Sequence, residues 1–247
     1  MKLRPLPRGG VIGIMSPSSP VDESRLEKGI NYLESLGYRI VTTQGCYSKF
    51  DYLAGSPEQR AEDLMSLISN PSVDVVFCSR GGFGSMGMLP HLSFSEIKEQ
   101  RKLITGFSDV TALQWAIYAK TGLPSLSAAM PAIDFGTETI DPGTEASFWE
   151  YIESGRLSYS MKAPSPLQES SVSGTCMPAT LSVAIRLCGT RFEPRPSRPI
   201  YIFEDVNEPM HKTEGCFLQA SMAGWFDHAA ALVLGSFTPP EKETFPD

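Results

Sequence analysis

The first half of the chain alternates short apolar runs with helical periods, and that rhythm restricts the fold more than any single residue does. Residues 11–15 (Val-Ile-Gly-Ile-Met) read as a buried strand. A turn over 16–20 follows, then a helix over 21–36 closed by Gly37. Residues 38–42 predict the next strand, and 57–68 predict a helix with Pro at its start and acidic residues early. A third strand over 73–78 runs straight into Arg80-Gly81-Gly82-Phe83-Gly84. Residues 97–102 read as a polar helix end, and 103–106 as a fourth strand. Strands that alternate with helices build a parallel sheet with helices on both faces, so the predicted class is α/β.

The second half changes character. Residues 159–173 are rich in Ser and Pro with little apolar period, which predicts a linker. Beyond it, 179–187 read as helix, 199–203 as a strand ending at Glu204-Asp205, 217–225 as helix and 229–235 as strand. The expected organisation is an N-terminal α/β domain over 1–158, the linker, and a smaller, incomplete C-terminal α+β domain over 174–247. Because the chain stops soon after an apolar strand, exposed apolar surface or an unpaired strand edge is expected near residues 229–235.

The most telling stretch for chemistry is Gly106-Phe107-Ser108-Asp109. It follows the apolar pair Leu103-Ile104 and opens a helical pattern of Val110, Leu113, Ala116 and Ile117, spaced to share one face. Ser108 is therefore expected on a tight strand-to-helix turn, where a helix N-terminus favours developing negative charge. That suggests a nucleophilic serine. Ser and Asp are also common helix caps, which is the structural alternative. The hydrolase pattern Gly-x-Ser-x-Gly is half present, because Val110 stands at its second glycine.

The glycine loop over 80–84 also follows a strand, and ligands of parallel sheets collect at such ends. It reads either as an oxyanion hole or as a tight connection. No Gly-Lys-Ser/Thr follows, so it is not a phosphate-binding Walker loop. Gly82 to Gly87 fits Gly-x-Gly-x-x-Gly, with Asp109 further on as the acid of a dinucleotide fingerprint. Against that, Pro90 interrupts the helix the fingerprint needs, and the unit is not on the first strand. Glu204, Asp205 and Glu208 cluster beyond an apolar strand, as a histidine-orienting carboxylate or a solvated acidic loop. His91 reads as part of a surface turn, and His211 and His228 as surface residues flanking a helix.

Composition closes off several classes. With 41% hydrophobic residues in 247, the chain fills one large domain or two small ones. A charge of −7 without a basic block argues against nucleic acid and anionic membranes as partners. No apolar run approaches a membrane span, and the basic N-terminus has no apolar signal segment behind it. Five scattered cysteines (Cys46, Cys78, Cys176, Cys188, Cys216) without a Cys-x-x-Cys pair are read as reduced, half-buried thiols of a cytoplasmic protein. Three unpaired histidines argue against a zinc site.

Together these segments resemble the LD-carboxypeptidase (muramoyltetrapeptide carboxypeptidase) family, which includes the microcin C self-immunity peptidases. The resemblance rests on Gly13-Ile14-Met15-Ser16-Pro17-Ser18, Leu53-Ala54-Gly55 with Arg60-Ala61-Glu62-Asp63-Leu64, Arg80 to Gly84, Gly106 to Leu113, Glu204-Asp205-Val206-Asn207-Glu208 and Leu234-Gly235-Ser236-Phe237. It implies a Ser-His-Glu triad with Ser108 as nucleophile and Glu204 as its acid. It implies an oxyanion hole from the amides of Asp109 and Gly82, acyl transfer without metal or organic cofactor, and commonly a homodimer. The implied reaction removes the terminal D-Ala from cytoplasmic murein tetrapeptides in cell-wall recycling. An immunity peptidase of the microcin C type is the alternative within the family.

The chain departs from the family pattern at several points. The family's histidine lies several dozen residues beyond Leu234 to Phe237, and this chain ends at Asp247. Gly87 stands where the family usually has Arg, Pro178-Ala179-Thr180 where it has Gly-Gly-Asn, and Gly215 where it has Arg. Two expectations follow: a serine peptidase of which this is a truncated form, or an inactive relative that binds peptidoglycan peptides.

Overall fold

A computed structural model describes residue 3, residues 6–158 and residues 171–240. Most of the expected linker, residues 159–170, lies outside the described residues, and 171–173 have no regular structure. Strands β1 (Val11–Met15), β2 (Arg39–Thr42), β3 (Val75–Cys78), β4 (Leu103–Gly106) and β5 (Leu126–Ser127) form one sheet. All its pairings are parallel, in the order β2-β1-β3-β4-β5. The chain steps from β1 to β2 on one side and then crosses to β3 on the other. The crevice at the carboxyl ends of β1 and β3 is therefore the switch point where such sheets hold ligands.

Helices cover both faces, as the alternation predicts. Helix α1 (Glu23–Ser35) is capped by Asp22, whose carboxylate accepts from the Arg25 amide at 3.0 Å. Helix α2 (Pro57–Ser69) begins with a reciprocal capping box between Ser56 and Gln59. Ile12, Ile14, Val75 and Phe77 pack with α1 and with α6 (Pro142–Ser154), a helix for which the sequence carried no reading. Val11, Met15, Val76, Cys78 and Ile104 pack on the other face, against α2, α4 (Phe94–Gln100) and α5 (Val110–Thr121). Strands buried on both faces read as continuous apolar runs, which is why residues 11–15 and 103–106 stand out.

A second parallel sheet, ordered β6-β7-β8, comprises β6 (Thr175–Thr180), β7 (Pro199–Val206) and β8 (Ala231–Thr238). It packs on α5. Trp115 lies 5.3 Å from Trp225 by ring centroids, and Tyr201 stacks on Trp225 at 5.9 Å. Trp115 Nε1 donates to the Pro178 carbonyl at 3.1 Å, and the Thr180 amide donates to Thr111 Oγ1 at 3.3 Å. Helix α5 is consequently buried nearly all round rather than on one face, Thr111 and Gln114 included. Gln114 meets that burial by donating to the carbonyls of Gly106 and Leu126 at 2.7 and 2.9 Å.

Several sequence expectations are corrected in this half. The helix expected from 179 begins at Leu181 as the single turn α7 (Leu181–Ala184), and the residues before it are strand β6. Strand β7 does not stop at Phe203 but carries Glu204 and Asp205 within it, past a register shift between Phe203 and Asp205. Helix α8 (Met210–Met222) starts seven residues before the expected 217, so His211 lies in its first turn instead of flanking it. Strand β8 pairs with β7 on one side only among the described residues, and Leu232 and Leu234 are exposed. Cys46 and Cys78 are fully rather than half buried, and burial pushes both thiols up, Cys46 to about 11. Among the described residues no helix is long and apolar enough to cross a membrane.

One buried polar group in the larger sheet is unsatisfied. Thr105, on β4, is fully buried, and its hydroxyl has no hydrogen-bond partner among the described residues. An unmade buried hydrogen bond costs about 1–3 kcal/mol. Thr105→Val keeps the shape and removes the hydroxyl, so urea unfolding should show a gain of about 1 kcal/mol. A loss of stability instead would mean that the hydroxyl has a partner.

Candidate active site

Ser108 lies on the tight strand-to-helix turn that the sequence suggested, between β4 and α5, and its backbone there is strained. Ser108 has φ 62°, a left-handed backbone conformation that costs an L-residue about 1–2 kcal/mol. The turn is held by backbone bonds from Val110, Thr111 and Ala112 to the carbonyls of Phe107, Ser108 and Asp109. It is also held by a close approach of the glycine loop. A Cβ on Gly81 would lie 2.8 Å from Ser108 Cβ and 2.9 Å from Ser108 Oγ. Only a residue without a side chain allows the two loops this near. The next residue, Gly82, has φ 117°.

Asp109 does not cap α5 with its side chain. Its buried carboxylate instead accepts from Ser18 Oγ at 2.6 Å and from the Ser85 amide at 2.7 Å. That one group ties the loops after β1, β3 and β4 together, and the capping alternative for Ser108-Asp109 falls away. The dinucleotide reading falls too. The helix after the glycine loop, α3 (Ser85–Met88), is four residues long, and its first amide is taken by Asp109. Ser19 Oγ accepts from the Phe83 amide at 3.2 Å and so braces the same loop.

Ser108, Gly82 and Glu204 line one cavity of about 380 Å³ between the two sheets. Among the described residues, the amides of Gly82 and Asp109 donate to no acceptor. Asp109 itself lines an adjoining cavity, reached past Phe83, Val183 and Arg186, which border both. Glu204 Oε1 accepts from Thr180 Oγ1 at 2.5 Å. Burial raises its carboxyl above the usual range, the Thr180 hydroxyl offsets part of that, and the Asp205 charge adds to it. Asp205 is turned to Ser182, accepting from its amide at 2.7 Å and its hydroxyl at 3.1 Å.

The histidines lie elsewhere. His91 Nε2 is 3.4 Å from Glu58 Oε1, and His228 lines a separate cavity with Trp225 and Tyr201. None of the three lines the Ser108 cavity. Among the described residues no group of three or more His, Cys, Asp and Glu side chains is arranged to hold a metal. Sequence reasoning missed Arg60 as a site residue, although it lies in a quoted motif. It is almost completely buried and donates through Nε to the Gly55 carbonyl at 3.0 Å and through Nη1 to the carbonyls of Gly84, at 2.8 Å, and Pro17. An arginine near the start of an otherwise amphipathic helix reads as a solvated side chain, and nothing local signals otherwise.

The sheet order, with loops converging at the switch point, defines an α/β protein whose site lies at the carboxyl ends of its strands. Residues 12–128 match the LD-carboxypeptidase N-terminal domain and residues 173–247 the LD-carboxypeptidase C-terminal domain, so the chain belongs to the LD-carboxypeptidase family. It is 29% identical to the murein tetrapeptide carboxypeptidase of Pseudomonas aeruginosa, over 96% of this chain and 80% of that protein. It is also 29% identical to the probable murein peptide carboxypeptidase of Bacillus subtilis, over 96% of this chain and 75% of that protein. The crystal structure of muramoyltetrapeptide carboxypeptidase from Oxalobacter formigenes superposes with a TM-score of 0.85 at 27% identity, covering 94% of this chain and 78% of that one.

Proposed function

We propose that this chain is a serine-type carboxypeptidase that removes the terminal D-Ala from murein tetrapeptides. Ser108 Oγ would attack the carbonyl between the L-centre of the third residue and D-Ala, with the amides of Gly82 and Asp109 receiving the oxyanion. D-Ala leaves as the amine, and water then releases the acyl group from Ser108. The observation that carries this reading is the strained Ser108 beside two unengaged amides in a cavity that also holds Glu204. Glu204 would act as the triad carboxylate, orienting an imidazole that the cavity's own lining does not supply. A cytoplasmic location and a homodimer are part of the proposal. The first is supported by five unpaired cysteines and the second by the family resemblance.

A second reading has its own support. Because no histidine lines the cavity, the chain would bind such peptides without cleaving them. Incubating the purified chain with a diaminopimelate or L-Lys tetrapeptide, followed by mass spectrometry, separates the two. D-Ala release that a Ser108→Ala control lacks supports the peptidase. Binding without release supports the second reading. Neither binding nor release overturns both.

A further inference from the structure

The cavity adjoining Ser108 holds about 390 Å³ and has largely apolar walls, among them Leu53, Pro57 and Met86. Arg60 forms part of its floor and is only 1% exposed. Its Nε and Nη1 hydrogens are spent on three loop carbonyls. Nη2 donates to no acceptor among the described residues. Nη2 is not sealed from solvent: the little surface that Arg60 keeps lines this cavity, where a ligand or water can accept from it.

Gly87 explains why Nη2 faces open space. An ideal Cβ on Gly87 would lie 3.8 Å from Arg60 Nη2 and 3.7 Å from Pro57 Cγ, with nothing nearer. Its backbone is not in the left-handed region, so no conformational demand requires glycine there. What the glycine does is end the chain at Cα and leave the cavity unfilled. At the rim, Arg186 lies over the Phe83 ring, 5.6 Å from its centroid. Two guanidinium groups thus face a space that also contains one carboxylate, Asp109, already committed to Ser18 and Ser85.

We propose that this cavity is a ligand subsite for an apolar stem that ends in a carboxylate, received by Arg60 Nη2 and opened by Gly87. A planar guanidinium is well suited to a carboxylate, and the low-polarity walls strengthen the contact. The inference extends the peptidase reading to the shape of its substrate, and rests on that reading only in calling the ligand a substrate. The test therefore measures binding and not hydrolysis. If 4-phenylbutyrate binds while no D-Ala is released, the subsite stands and the peptidase reading falls. If D-Ala is released while 4-phenylbutyrate does not bind, the reverse holds.

The experiment titrates the isotopically labelled chain with 4-phenylbutyrate and with its neutral amide, following backbone amide shifts by NMR. Saturable shifts are expected at Gly84, Gly87 and Ala112, with the amide at least fivefold weaker. Gly87→Leu, which pushes a side chain into the cavity beside Arg60 Nη2, should weaken 4-phenylbutyrate at least tenfold. Should Gly87→Leu fail to fold, the exposed Arg186→Gln serves, with an expected loss of at least threefold for the acid and none for the amide. Equal affinity for acid and amide, no saturable shift at these amides, or unchanged affinity in the variants would each overturn the proposal.

Discussion

On the serine-peptidase reading, Ser108→Ala is expected to lower D-Ala release by about a thousandfold or more, because the cavity's other hydroxyls, Thr180 and Ser182, are committed to the carboxylates of Glu204 and Asp205. The same position carries a stability prediction of opposite sense. At φ 62° alanine keeps the steric penalty of the turn, whereas glycine escapes it. Ser108→Gly should therefore be more stable than Ser108→Ala by about 1 kcal/mol, part of the relief being offset by the greater freedom of glycine in the unfolded chain. Chemical denaturation of the two variants side by side, with activity assayed in each, checks both statements. Equal stability would mean that the turn holds no strain. Residual activity above the background would put the nucleophile elsewhere.

Arg60→Met should be the most damaging single change to stability. Methionine fills much of the same volume but leaves the carbonyls of Gly55, Pro17 and Gly84 without their donor. Hydrogen bonds from a charged donor contribute about 1.5–3 kcal/mol each and are not additive, so a net loss of about 3–5 kcal/mol is expected. The urea midpoint should fall with an unchanged slope. Arg60→Lys should recover only a minor part, since one ammonium cannot span carbonyls spread over three loops. A loss below about 1 kcal/mol for Arg60→Met would show that these loops are held by other contacts.

How much of this was legible in the chain depends on the kind of signal. The parallel sheet and the serine turn were readable because an apolar strand, a glycine and a helical period follow one another in a few residues. The burial around α5 was not. Thr111 and Gln114 look like an exposed face, and their partners, Thr180, Gly106 and Leu126, are contributed by other segments. Strand β6 was hidden by Pro178, which is tolerated because β6 is an edge strand with no partner on its far side among the described residues. Glu204 and Asp205 looked like the loop after a strand because charges are rare inside one. They remain in β7 because Thr180 and Ser182 supply their hydrogen bonds. The pairing of Ser108 with Glu204 in one cavity spans 96 positions of sequence, and no local pattern encodes it.

The encasement of α5 between two sheets has a consequence for how the molecule fails. The helix that carries the Ser108 turn is core on almost every side, so its amides reach solvent only when much of the protein opens at once. A destabilising substitution anywhere in that core would not loosen the turn by degrees. It would lower the fraction of molecules that possess the turn at all, and the survivors would keep its full geometry. Loss of activity in such variants would be a loss of competent molecules, with the substrate dependence of the remainder unchanged.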